Sequence, residues 1–406
     1  MYKIRFIHET YLEEIRKVGD SVEQAIQLFM NLIRSELTAQ PLSSKWKKSI
    51  TPEVLIDLYQ IASKQDQMHM LALALKKNKL LGDDQLSAVF ARSLRLAFFR
   101  YEATKHTQNQ IYEVFEEEEI AYVPLKGAVI RDLYPEAWMR TSCDIDILVR
   151  EEDLDRAKEA LISKLEYRVV KNNYHDIAML SPNNQLLELH FKILENEEKI
   201  DRMLGRVWDY VHPVEEGKYR YEMTNEYLIF HSYAHMLYHF INGGCGMRYV
   251  IDIWILEQKL KFDEKRLSRM LKVCEMNAFV TYARKLARVW FENESHDRET
   301  NRMQMYIIEA GLFGDTETKV KARKTKTEGK GKYLFQRIFI PYKEFCASYP
   351  VLEKYPILYP YLTVKRWFKI FDSQKAEQAI QEIKLNQNMK QDSVKELREL
   401  FRKLEL

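Results

Sequence analysis

The chain has 406 residues and a formal net charge of +3, with 63 Lys and Arg against 60 Asp and Glu. A hydrophobic share of 46% excludes a disordered chain, and the near-balance of charge excludes a surface that coats nucleic acid throughout. Cys143, Cys245, Cys274 and Cys346 form no CxxC pair, which excludes a thiolate zinc site, and no apolar run suggests a leader or a membrane span; the expectation is a cytoplasmic protein with no integral membrane segment.

Scarce Gly and Pro predict long helices, and residues 1–118 read as an N-terminal helical region. Ser21 to Gln24 has a capping-box pattern ahead of Ala25, Ile26, Phe29 and Ile33. Thr51-Pro52-Glu53 predicts a second helix start, with Thr51 as cap and Pro52 at the first helical position. Helical spacing continues through 54–80 and 84–118, and the acidic run Glu116 to Glu119 reads as a solvated face or turn.

The texture changes over residues 119–221, which read as an α/β core. Ile120 to Leu125 predicts a strand ended by Lys126-Gly127, then a short helix to Tyr134. Ser142 to Val149 predicts a second strand. Asp153 opens a helix with Leu154, Ala157, Leu161 and Leu165 on one face. A strand at 167–171 and a hairpin, 176–180 and 185–193 about Ser181-Pro182-Asn183-Asn184, complete it. The expected fold class is α+β, a small mixed sheet flanked by N- and C-terminal helical regions.

Residues 222–318 read as a helical domain. Asn242 to Gly246 separates two of its helices, and Arg248 and Asp252, four apart, predict an intrahelical pair. Residues 319–332 hold seven Lys or Arg and one Glu and read as an exposed, soluble basic loop; binding RNA, an anionic lipid surface or an acidic substrate is the less favoured reading. Residues 333–406 form a C-terminal aromatic and helical region, ending in a helix capped by Ser393 with Leu397, Leu400, Phe401 and Leu404 facing inward.

The chemistry is concentrated in Ser142-Cys143-Asp144-Ile145-Asp146-Ile147-Leu148-Val149. Side chains alternate along a strand, so Asp144 and Asp146 share a face at about 7 Å spacing. Two carboxylates on an otherwise apolar strand repel one another, and a divalent cation relieves that. Glu188 shares a face with Leu186 and His190 on the later strand and is the candidate third carboxylate. Such a set suits metal-assisted phosphoryl or nucleotidyl transfer, with Glu188 also available to accept the attacking proton. Arg140, Lys126 and Gly127 are the candidate phosphate-binding residues, through a guanidinium, an ammonium and a close backbone approach. His231, His235 and His239 share a helix face and read as packing and polar contacts with the core.

The segment LKGAVIRDLYPEAWMRTSCDIDILV resembles the signature of the uncharacterised nucleotidyltransferase family, a divergent branch of the polymerase-beta-like nucleotidyltransferases often found near bacterial polysaccharide or peptide-modification genes. The likeness continues through LELHFKI and HMLYHFINGGCGMRYVIDIWIL and covers roughly residues 50–260. It implies that Asp144, Asp146 and Glu188 hold Mg²⁺ or Mn²⁺, that a nucleoside triphosphate is the donor, and that the acceptor is undefined. Its alternatives are a non-catalytic, antitoxin-like regulatory protein and a transferase acting on protein or RNA. The wider superfamily places a Gly-Ser pair shortly before the two aspartates. Here Ala128 follows Gly127, far upstream of Asp144, so the likeness carries the metal positions more directly than the phosphate positions.

Overall fold

Thr51 caps as its sequence context predicts: its hydroxyl accepts the Val54 N–H at 3.4 Å, and Pro52 opens the helix Pro52–Lys64. The computed structural model describes residues 19–38, 40–312, 314–326, 342, 345–346, 349, 351–370, 389 and 391–406. Readings that fall on residues 1–18, including the absence of a leader, and on 327–341 lie outside the described residues. In chain order the first helices are α1 (Gly19–Leu37), α2 (Ser44–Lys48), α3 (Pro52–Lys64), α4 (Met68–Lys77) and α5 (Gln85–Glu117). α1 runs through Ser21, so that residue lies inside the helix rather than capping it. Asp84 caps α5, accepting from Leu86 N and Ser87 N.

Next come β1 (Tyr122–Pro124), the single turn α6 (Gly127–Ile130), β2 (Asp144–Val149), α7 (Leu154–Leu165), β3 (Arg168–Asn172), β4 (Asp176–Leu180) and β5 (Leu186–His190). They form one five-stranded sheet in the order β1-β2-β5-β4-β3. β2 and β5 are parallel, and the other pairs are antiparallel, so the sheet is mixed. The α+β expectation holds, with the hairpin turn at Ser181–Asn184.

Alternation explains the two faces of the sheet. Ile145, Ile147 and Val149 pack with Leu187, Leu189 and Met179 beneath α5 and α7, where Ile111, Phe115, Ala157 and Leu161 complete a buried cluster. Leu148, on the opposite face, joins the larger helical core. The acidic end of α5 is neutralised by α7: Lys164 pairs with Glu117 and Glu118, and Arg156 donates to the Glu118 carbonyl.

After α8 (Glu198–Leu204) and the hairpin β6 (Val211–Pro213) and β7 (Tyr221–Met223), the chain is helical: α9 (Asn225–Ile241), α10 (Met247–Lys259), α11 (Glu264–Val273), α12 (Asn277–Phe291), α13 (Arg298–Ala310), α14 (Thr316–Lys326), α15 (Val351–Lys354), α16 (Tyr359–Ile370) and α17 (Gln391–Lys403). Two expectations are corrected here. Residues 319–326 of the basic run are not a loop but part of α14, because Val320 and Ala322 are buried and fix the helix. α17 begins before Ser393, which therefore does not cap it, although Leu397, Leu400, Phe401 and Leu404 are buried as the periodicity predicts. No described helix is long and apolar enough to cross a membrane.

Candidate active site

The parallel pairing of β2 with β5 sets Asp146 opposite Glu188, Asp144 opposite Leu186, and Leu148 opposite His190. Strand pairing therefore converts two sequence motifs 42 residues apart, Asp146 and Glu188, into one polar face. Ligand atoms of Asp146, Glu188 and His190 lie within 4.8 Å of one another. Asp144 shares that face but stands outside this close triad, partly exposed at the sheet end.

Lys126 reaches into the cluster. Its Nζ lies 2.9 Å from Asp146 Oδ1, and His190 Nε2 lies 3.0 Å from the same oxygen and 3.5 Å from Glu188 Oε2. The backbone at Lys126 has φ 45° and ψ −115°, a conformation that L residues rarely adopt. Strain of this kind costs on the order of 1–3 kcal/mol and persists only where the surroundings hold it. Here the Asp146 contact and the turn into α6 hold it. A Cβ on Gly127 would run into the Arg140 guanidinium and the Ser142 side chain, so this position requires glycine for close approach.

The electrostatics follow from crowding. Burial and the neighbouring Asp146 charge push the Asp144 pKa up, with Lys126 opposing. Burial would also raise Asp146, but the Lys126 ammonium and the His190 hydrogen bond outweigh it and hold that carboxyl well below its ordinary value. Burial lowers His190, yet its bonds to Asp146 and Glu188 win and raise it. Carboxylates gathered this tightly, one of them bound to an ammonium, form a donor set that fits a hard divalent cation.

A cavity of about 590 Å³ opens beside the cluster, lined by Lys126, Glu188, His190, Glu195, His235 and Tyr238 among others. With volume, Glu188, Glu195 and a lysine converging, it is the candidate substrate cleft.

Residues 56–292, more than half of the chain, match the model of a family described as uncharacterised nucleotidyltransferase. The chain belongs to this family. No curated protein and no solved structure matches it. The matched stretch contains Lys126, Gly127, Arg140, Asp144, Asp146, Glu188 and the three helical histidines.

The structure gives Arg140 a different placement from the phosphate contact expected of it. Its guanidinium is only 8% exposed, with NH2 2.9 Å from Asp252 Oδ2 and Nε 3.2 Å from Oδ1. Tyr134 donates to the same carboxylate at 2.7 Å. A buried guanidinium committed to a carboxylate is not a free phosphate donor. Its charge nonetheless reaches Asp144. This pairing also corrects the expected Arg248–Asp252 pair: Arg248 instead donates to the Thr141 carbonyl at 2.9 Å. Arg140 and Arg248 thus fasten the loop before β2 to α10 from both sides. Gly127 has no long helix dipole behind it, because α6 is one turn followed by the 3-10 turn Arg131–Leu133.

The histidine stripe makes the polar contacts with the core that its periodicity predicts. His235 Nδ1 lies 2.8 Å from Glu195 Oε1, in the segment after β5. His239 packs edge-on to His235 and against Tyr249. His231 is buried, and its Nε2 has no hydrogen-bond partner among the described residues. Two site residues escaped the sequence reading. His190 had a signal, its alternation with Glu188 along β5. Glu195 had none, because it follows the strand in an irregular segment that only tertiary folding turns towards α9.

Proposed function

We propose that this family member transfers a nucleoside monophosphate from a nucleoside triphosphate to an acceptor, at the face shared by β2 and β5. The observation that carries this reading is the register of Asp146 against Glu188, which gathers Asp146 with Glu188, His190 and Lys126, the last three lining one cavity. Asp146 and Glu188, with Asp144 beside them, would hold Mg²⁺ or Mn²⁺ through carboxylate oxygens. When bound, the cation offsets phosphate charge and aligns the α-phosphate for in-line attack.

The chain's own residues do the rest. Asp144 and Asp146 set the negative field that selects a cation over a bare phosphate. Lys126 lines the cavity as a point charge within reach of the triphosphate, and its pairing with Asp146 keeps it charged before substrate arrives. Gly127 allows the loop behind it to pack closely. Glu188 is less buried than Asp146 and lines the cavity, so its carboxylate is placed to take the acceptor's proton. His190 orients Asp146 by bonding Oδ1.

The test is calorimetric titration of each nucleoside triphosphate with and without Mg²⁺, on wild type and on Asp144→Asn and Asp144→Asn/Asp146→Asn variants. Thermal unfolding checks that each variant folds. Metal-dependent binding by wild type, lost in the variants, supports the reading. Failure of wild type to bind any of the four triphosphates would sink it.

A further inference from the structure

Residues 354–371 contain four Lys or Arg and no Asp or Glu, whereas the whole chain is nearly neutral. The same stretch is rich in tyrosine and aliphatic residues that the fold leaves outside. Phe345, Leu352 and Leu362 form a small buried cluster of their own. Around it, Val351, Tyr355, Ile357, Tyr361 and Val364 are exposed, Ile357 at 87% and Tyr361 at 63%. Single exposed apolar residues are ordinary, but five between Val351 and Val364 make a patch.

The arrangement repeats. Val351, Lys354 and Tyr355 stand at i, i+3 and i+4, and Tyr361, Val364 and Lys365 repeat that spacing on α16. Both lysines are exposed with their apolar neighbours. Leu352 and Leu362 point the other way, into the small core. Each turn therefore presents one apolar stripe edged by a cation.

We propose that this face, Val351 to Lys365, docks the protein on an anionic lipid surface. Aromatic and aliphatic side chains edged by Lys354 and Lys365, with Glu353 the one acid from Val351 to Lys365, match the boundary between headgroups and acyl chains. The lysines complement anionic headgroups, each contributing about 1 kcal/mol near the surface. A second copy of the chain is a poor occupant, because two faces that are each net positive repel. RNA is a poorer match than lipid, because Ile357, Val351 and Val364 offer neither stacking nor a phosphate contact. The proposal does not depend on the nucleotidyl-transfer reading.

The experiment is co-sedimentation of the full-length protein with vesicles of equimolar phosphatidylglycerol and phosphatidylcholine, and with phosphatidylcholine alone. Wild type should sediment with the anionic vesicles and lose that binding in high salt. Lys354→Ala/Lys365→Ala should weaken partitioning about 25-fold, from roughly five-fold per lysine. Ile357→Ser/Tyr361→Ser, which leaves the charge unchanged, should weaken it at least ten-fold. Both pairs replace exposed side chains, and thermal unfolding at the wild-type temperature confirms that the fold is kept. Equal sedimentation with neutral vesicles would overturn the proposal. So would wild-type partitioning by the Ile357→Ser/Tyr361→Ser variant, since basic runs elsewhere would then carry the binding. A poly-uridine oligonucleotide bound in place of vesicles, or self-association that the same variants abolish, would also overturn it.

Discussion

At the scale of single residues, the decisive feature is Lys126. Its backbone is held in a strained conformation while its ammonium sits on a buried aspartate. Lys126→Met leaves Asp146 buried without its cation, and a broken buried pair costs about 3–5 kcal/mol. We expect a lower urea midpoint together with loss of triphosphate binding, whereas a purely structural lysine would lower the midpoint alone. Gly127→Ala should destabilise by about 1–3 kcal/mol through the clash with Arg140. The buried His231 gives a pH prediction. Burial pulls its pKa from 6.5 down to about 3, with His235, Lys126 and His190 adding to that and Glu195 opposing. The unfolded chain therefore binds the proton more readily, so stability is full above pH 6.5 and falls as pH drops towards 3. At pH 5 the loss from this residue is up to about 2 kcal/mol. Urea melts at pH 7 and pH 5 measure it; His231→Leu should reduce the pH slope, and an unchanged slope would reject the assignment.

At the scale of elements, β2 serves two masters. Its Ile145, Ile147 and Val149 anchor it beneath α5 and α7, while Asp144 and Asp146 lie on the other face, with Asp146 paired to Glu188. Ile147→Ala should cost about 2–5 kcal/mol, as for other buried large-to-small changes, and blunt metal-dependent binding by loosening the register. The two aspartates and the strand were legible because alternation with period two is a local property of the chain. Glu188 was legible as a candidate for the same reason. That β5 lies parallel beside β2, with α7 and the β3–β4 strands between them in sequence, is a pairing that no local pattern encodes. Helix starts were less legible: Thr51 and Asp84 cap where the hydroxyl or carboxylate meets free N–H groups, but α1 and α17 run past Ser21 and Ser393. Packing of the apolar face overrode the local cap signal in both.

At the scale of the whole molecule, buried polar ties lock the loop before β2 onto the helices. Arg140 joins Asp252 on α10, and Tyr134 completes that knot. Arg140→Met should destabilise by about 3–5 kcal/mol because Asp252 is left buried and unpaired. The double variant Arg140→Met/Asp252→Leu should recover much of that loss, and thermal melts of these two and of Asp252→Leu alone form the cycle that measures the coupling. Strict additivity would show that the pair is not a unit. The C-terminal helix closes the other side: Phe401 packs against Phe240 and Tyr306. Phe401→Ala should therefore cost about 3–5 kcal/mol, read from the same melts, although it lies far from the cleft in sequence.

The sequence by itself determined the α+β class, the polarity of the two strand faces and the candidate carboxylates on the polar one, because periodicity and residue chemistry act over a few residues. Tertiary structure decided which charges are free. Lys126 meets Asp146, Arg140 is withdrawn to Asp252, His190 joins the acidic pair and Glu195 meets His235. Each of these partnerships links segments distant in sequence, and burial decides which charge must be paired. A charge run shows only that cations are present; Val320 and Ala322 in the core turned part of one into a helix. Composition cannot foresee such choices, because they depend on the low-dielectric interior that forms only once the chain has folded.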